Sequence, residues 1–277
     1  LHGGMSNQLF QYAAGRALGS RLGKDLALDD RVLAQKGLRP CREHFAWQVS
    51  DGALLPPMKT DGLMRYTTWR LLGRNPHFRR EQNLGYNQDF TTWTNGTYLH
   101  GYWQSEMYFA PIAETIREEL CITTPPNSQN AEMAAQIAEK MSVSLHVRRG
   151  DYLTLAAHNV CTEIYYQEAL KRVAKAADIT PHIFVFSDDP EWARNNLTLP
   201  FDKTVVGFNG PETDYEDLRL MSLCKHNVIA NSSFSWWGAW LNKNPKKVVA
   251  GPAQWFGTAK MKNPDILPAS WLRIGIN

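Results

Sequence analysis

What this 277-residue chain lacks narrows it quickly. Its four cysteines, Cys41, Cys121, Cys161 and Cys224, form no Cys-x-x-Cys pair, so neither a zinc site nor a dithiol redox motif is written into it. Scattered thiols of this kind fit a reducing cytosol. No Gly-x-x-x-x-Gly-Lys-Ser/Thr run occurs, which removes the P-loop kinases. No apolar stretch is long enough to span a bilayer, so no transmembrane segment is expected, and no signal peptide is recognisable. Leu1 is not an initiator methionine, and a first strand is expected upstream of it. A cytoplasmic location is expected, with peripheral attachment to the cytoplasmic membrane face as the alternative. The net charge of +3 is mild and no basic stripe is interleaved with aromatics, so nucleic acid is not an expected partner.

What is present suits an α/β enzyme of two modest domains. The chain is 43% hydrophobic, enough for two cores. A polar, proline-bearing break at Cys121–Asn130 reads as a linker, dividing the chain into residues 1–125 and 126–277. Beyond it, the spacing predicts helices near Ala131–Lys140, Thr162–Ala177 and Thr213–Cys224. They alternate with strands at Met141–Val147, His182–Phe186, Thr204–Phe208, Asn227–Ala230 and Lys247–Ala250. Such alternation argues for a parallel sheet. The first half opens alike, with a helix at Ala13–Leu22 and a strand at Asp25–Leu28, then turns irregular and aromatic from Arg31 to Asn95. Most of the ten tryptophans, Trp236, Trp237 and Trp240 among them, read as packing.

Three strand-to-helix junctions carry the chemistry. Met141, Val143, Leu145 and Val147 alternate with Ser142, Ser144 and His146, the period of a strand, so His146 and Arg148 share one face. At the strand's tip, Arg148-Arg149-Gly150-Asp151 supplies two guanidiniums, a permissive glycine and a carboxylate, a pattern suited to binding a phosphate. After the next strand, Asp189 suits an N-cap and Pro190 the first helical position, leaving Asp188 at the strand tip. A carboxylate there could accept from a guanine. The third junction, Asn231-Ser232-Ser233-Phe234, opens a helix whose amides and hydroxyls suit a diphosphate. At the amino end, Gly3-Gly4 makes a tight turn that sets Asn7 and Gln8 toward the same crevice.

The blocks Gly3-Gly4-Met5-Ser6-Asn7-Gln8-Leu9-Phe10-Gln11-Tyr12, His146–Tyr152 and Ser232-Ser233-Phe234-Ser235-Trp236-Trp237-Gly238-Ala239 make the chain resemble the α-1,2-fucosyltransferases, especially the bacterial ones of glycosyltransferase family 11. The His-x-Arg-Arg-x-Asp block is shared more widely, with α-1,6- and protein O-fucosyltransferases. Met5-Ser6 departs from the family's usual Leu-Gly, so the turn at Ser6 cannot use glycine torsions. The resemblance implies a GT-B fold, two Rossmann-like domains facing a cleft, with the acceptor-side domain at 1–125 and the GDP-fucose-binding domain at 126–277. It implies inverting transfer of fucose from GDP-fucose to the 2-hydroxyl of a terminal β-galactose.

In that reading Arg148 stabilises the charge growing on the departing GDP. His146, Arg149, Asp188, Asn231, Ser232, Ser233 and Phe234 complete the donor set, with Arg149 alternatively holding the loop. Arg148 already brings the positive charge a metal would bring, so no metal or other cofactor is expected, and Asp188-Asp189 is not read as a cation site. The general base stays open: Asp151 is the motif candidate but could equally pair with Arg149 or cap the next turn, Glu106 is a second, Asn7 could orient the acceptor or leaving oxygen, and an early bond break needs no strong base. Acceptor choice is expected from Gln8, His100, Trp103, Gln104 and Glu106. The acceptor itself stays open between a lipid-linked O-antigen unit, a free galactose-terminated oligosaccharide and a glycoprotein, as does the oligomeric state. Transfer to a protein hydroxyl or a glycan core, and a non-catalytic sugar- or nucleotide-binding protein, are the alternatives. A sequon at Asn231 inside the donor set favours a compartment without N-glycosylation.

Overall fold

The computed structural model describes residues 1–38, 40–50, 78–150, 160–258 and 261–275. The chain divides into two compact units, Leu1–Cys121 with Pro264–Ile266, and Ile122–Asn263 with Leu267–Asn277. The short return of Pro264–Ile266 to the first unit, where Asp265 Oδ2 accepts from Tyr86 N at 2.8 Å, has no counterpart in the sequence reading.

The first unit opens with α1, Met5–Leu22, which starts eight residues before the expected Ala13. A β-carbon on Gly3, which sits at φ +80°, would come within 2.8 Å of Asn7 Nδ2, so a larger residue would be both strained and obstructed. The expected strand at Asp25–Leu28 forms no ladder; Leu26 O accepts from Ser50 N at 2.8 Å instead. After the short helix α2, Arg31–Gln35, come β1, Phe78–Arg80, and β2, Tyr98–His100, paired in parallel, and α3, Ala113–Glu119. This unit is stitched by long-range polar contacts: Glu119 of α3 accepts from Tyr12 Oη at 2.6 Å and pairs with Arg16 at 2.9 Å, both on α1.

The second unit is regular. Its strands are β3 Ser142–Val147, β4 His182–Ser187, β5 Lys203–Val206, β6 His226–Val228, β7 Val249–Pro252 and β8 Leu272–Ile274. They form one wholly parallel sheet in the order β5-β4-β3-β6-β7-β8. The strand β8 was too short to carry a periodic signal. The helices are α4 Ser128–Glu139, α5 Glu163–Ala177, α6 Pro190–Asn195, α7 Asp214–Leu223 and α8 Ser233–Leu241. Side-chain oxygens cap four of them: Asn127 accepts from Asn130 N, Thr162 from Tyr165 N, Asp189 from Trp192 N and Ser232 from Phe234 N.

Strand β3 is buried on both faces. Val143, Leu145 and Val147 pack with Tyr165, Tyr166, Leu170 and Val173 of α5. Ser142 and Ser144 on the other face are buried because each hydroxyl is bonded, Ser142 Oγ by Lys225 N at 3.1 Å and Ser144 Oγ by Asn227 Nδ2 at 2.7 Å. Trp236 and Trp237 are fully buried in the interior of α8, as the packing reading held. The sequential order of strands reverses beside β3, so β3 and β6 flank a topological switch point. In open parallel sheets ligands bind beyond the carboxyl ends of the strands at such a point.

Candidate active site

The carboxyl ends of β3, β4 and β6 bring most of the expected donor residues together within the second unit. Arg148 Nη1 lies 3.2 Å from Asp188 Oδ2, with the two side chains 34% and 23% exposed. Asp188 Oδ1 also accepts from Arg149 N at 2.9 Å. One carboxylate therefore ties the two strand tips together and holds the guanidinium beside the switch point. Gly150 is required for this arrangement, since a β-carbon there would come within 2.6 Å of Asp188 Oδ2. Arg149 points elsewhere: its guanidinium carbon stands 3.5 Å from the centroid of the Trp192 ring, and its Nε is 3.4 Å from Asp189 Oδ2. Asp151 lies outside the described residues.

His146 sits below Arg148 and is 4% exposed. Burial, reinforced by the nearby Arg148 charge, pushes its pKa down to about 3, so its imidazole is neutral at physiological pH. Its Nδ1 is buried without a hydrogen-bond partner among the described residues, and its ring centroid is 5.6 Å from that of Phe234. Ser232 Oγ accepts from Phe234 N at 3.3 Å, capping the start of α8, which follows β6. Asn231 is buried, accepting from the Cys161 thiol at 3.5 Å and donating to Trp255 O at 3.1 Å. Both ends of its amide are thus engaged by protein, and burial pushes the Cys161 thiol up to about 12.

In the first unit Asn7 and Gln104 meet, with Gln104 Nε2 donating to Asn7 Oδ1 at 2.8 Å. Gln8 is turned inward: its amide donates to Gly3 O at 3.1 Å and accepts from Cys41 N at 3.0 Å, so it fixes the amino-terminal turn. His100 ends β2, its ring stacked 5.6 Å from that of His2, and burial lowers its pKa. Glu106 heads a short 3-10 turn, Glu106–Tyr108. Trp103 is 1% exposed, edge-on to Trp93 and Tyr108, so its indole belongs to the core. Its backbone is strained, at φ 59°. The half-buried Glu81 carboxylate holds that conformation, accepting from Tyr102 N at 2.7 Å and Trp103 N at 3.0 Å. Strain of this kind accumulates at functional sites, and Trp103 is followed by Gln104, the partner of Asn7.

Three residues in these arrangements carried no sequence signal of function. Glu81 and Trp192 act on backbone or charge far along the chain. Tyr166, 3% exposed on α5, places a buried hydroxyl near the Arg148 backbone and Asp188. The described residues contain no cluster of three or more metal-ligating side chains, and none of their helices is long and apolar enough to cross a membrane.

A structure of a point mutant of Arabidopsis thaliana FUT1 in complex with GDP matches with a TM-score of 0.51 at 10% identity, over 90% of this chain and 68% of that one. With the parallel sheet and its switch point, this defines the fold class: α/β, of the GT-B type. The family model described as Glycosyl transferase family 11 matches residues 81–275, and the chain belongs to that family. Two Escherichia coli relatives run nearly end to end with it. An alpha-1,2-colitosyltransferase is 32% identical over 99% of this chain and 97% of its own length. The O-antigen biosynthesis glycosyltransferase WbnK is 30% identical over 99% of both chains. Human galactoside alpha-(1,2)-fucosyltransferase 1 is 26% identical over 52% of this chain and 42% of its own length.

Proposed function

We propose that this glycosyltransferase moves fucose from GDP-fucose to the 2-hydroxyl of a terminal β-galactose, with inversion and without a metal. The observation that carries the reading is the Arg148–Asp188 pair at 3.2 Å, set at the switch point of a parallel sheet. The bond from the fucose anomeric carbon to the diphosphate oxygen breaks, the bond to the galactose 2-oxygen forms, and GDP leaves carrying the new negative charge. Arg148, held by Asp188, stands where that charge can be met. Neutral His146 can hydrogen-bond the diphosphate without adding a second cation, and the amino end of α8 is proposed to meet the same group. Asp188 then serves the donor through Arg148, while reading of the guanine by its remaining lone pairs stays part of the proposal. The proton of the acceptor hydroxyl goes to a carboxylate, with Asp151 and Glu106 as candidates, or leaves late in a dissociative transfer. Asn7 and Gln104, bonded to each other, are proposed to face the acceptor.

The family match and the human relative's name support galactoside fucosylation. A second reading is favoured by the E. coli relative named a colitosyltransferase. Colitose is fucose without its 3-hydroxyl, so the same charge-stabilising apparatus would serve either donor sugar.

The deciding experiment measures GDP release from GDP-fucose and from GDP-colitose with a β-galactoside acceptor in EDTA, with the product linkage read by NMR. An α-1,2-fucosyl product without metal supports the proposal. Preference for GDP-colitose moves the donor assignment to the second reading, and activity only after Mn²⁺ is added overturns metal independence. Arg148→Ala is expected to lower kcat by about 10²–10³, the ~2.7–4 kcal/mol cost of one lost charge-stabilising donor. Normal turnover by that variant would remove Arg148 from the mechanism.

A further inference from the structure

Arg148 and Arg149 face Asp188 and Asp189, and such a quartet has two possible pairings. In the observed one Arg148 Nη1 meets Asp188 Oδ2 at 3.2 Å and Arg149 Nε meets Asp189 Oδ2 at 3.4 Å. The crossed pairing is close at hand, because Asp188 already accepts the backbone N–H of Arg149 at 2.9 Å. Charge alone hardly separates the two, since each makes two opposite-charge contacts at partly exposed positions.

Trp192 does separate them. Its indole lies under the Arg149 guanidinium at 3.5 Å and is itself packed against the core of β3 and α5. A cation over a tryptophan face is favourably placed, and arginine more so than lysine because its plane can stack. Trp192 N also donates to Asp189 Oδ1 at 3.1 Å, so the residue that stacks Arg149 also orients its carboxylate partner. Both halves of the Arg149–Asp189 pair are therefore fixed by one residue of α6, and Asp188 is left to Arg148.

We infer that Trp192 is a positioning residue that selects this pairing, keeping Arg149 off Asp188 so that Arg148 is the guanidinium presented to the donor diphosphate. The inference rests on the donor reading of Arg148. It assigns Trp192 an effect on turnover that its packing alone would not have.

The test compares Trp192→Leu, Arg149→Gln and the double variant in the full chain, with kcat and the GDP-fucose KM measured for each and melting followed in parallel. Trp192→Leu is expected to lower kcat about tenfold or more with little change in KM, because Arg149 then competes for Asp188. Trp192→Phe, which keeps a ring, should retain most of the activity. The double variant should turn over faster than Trp192→Leu alone, since the competitor is gone; a purely structural tryptophan would give losses that add. If Trp192→Leu does not melt cooperatively, Trp192→Met, flexible enough to fill the site without a ring, replaces it. Additive or worse losses in the double variant overturn the inference. An inactive Arg148→Ala beside that additive result overturns the inference alone, whereas an active Arg148→Ala overturns the donor reading beneath it.

Discussion

In the second unit the buried polar groups lie on a repeating frame: Ser142, Ser144 and Asn227 bond one another or neighbouring backbone across adjacent strands, and Asn242 Nδ2 bonds Asn227 Oδ1 at 2.8 Å. In the first unit single carboxylates do comparable work over long spans of sequence. Glu119 joins α3 to α1, Glu81 holds the strained Trp103, and Asp265 returns from late in the chain to bond Tyr86. The difference shows in what each unit can lose. A sheet shares its hydrogen bonds among many strands, so its weak points are the strand tips, where the proposed donor site lies. A unit closed by a few hydrogen-bonded acids has weak points that concern stability first.

The largest effect expected from this contrast is on the first unit. Glu119→Ala leaves the buried Tyr12 hydroxyl and the Arg16 guanidinium without their shared partner. Removing one member of a buried pair costs several kcal/mol, and because Arg16 keeps some contact with water the cost is placed at roughly 3 kcal/mol. Hydrogen exchange resolved by peptide should show faster exchange in α1 and α3 with the strands of the second unit unchanged. Equal acceleration in both units would show that the two do not respond separately.

Next in size is a change that should spare stability and strike function. Gly150→Ala forces a β-carbon against Asp188 Oδ2 at 2.6 Å, so the carboxylate must shift and Arg148 with it. The expected loss is about tenfold in kcat, or ~1.4 kcal/mol, with the melting temperature nearly unchanged. Normal kcat would show that the Asp188 position does not govern the guanidinium.

The same contrast explains what could be read from the sequence. The second unit was legible almost throughout, because its strands and helices repeat with their own periods and Thr162, Asp189-Pro190 and Ser232 mark helix starts by local chemistry. The placing of His146, Arg148 and Asp188 at adjacent strand tips followed from that periodicity. The direction of Arg149 did not, since it depends on Trp192, which becomes a neighbour only when β3 and β4 pair. In the first unit Asp25–Leu28 has a strand's composition but no ladder, and Gln8 and Trp103, read as facing a sugar, are turned into the interior by partners distant in sequence. Nothing local signals that Glu81 will hold Trp103 in a left-handed conformation.

The last effect concerns a partly buried acid of the regular unit. Asp217 of α7 accepts from Asn209 Nδ2 at 2.7 Å, and Asn209 is in turn paired with Asn130 of α4. Burial, with the neighbouring Asp214 and Glu216 charges adding to it against the Asn209 hydrogen bond, pushes the Asp217 pKa up to about 7. In an unfolded chain the same group titrates near 3.9. Between those values the folded protein binds more protons than the unfolded one, so this residue's contribution to stability falls as pH rises from about 4 to 7. His146 and His2, pushed down to about 3 and about 4, act with the opposite sign below about 6.5, and they cancel when variant and natural protein are compared at one pH. Asp217→Asn keeps an acceptor for Asn209 and removes the charge. The expected result is near-equal melting at pH 4 and a gain for the variant that grows from there to about pH 7 and then levels off. A difference that does not change with pH would mean that Asp217 is ionised as readily folded as unfolded, and that α7 tolerates its charge through the Asn209 and Asn130 amides.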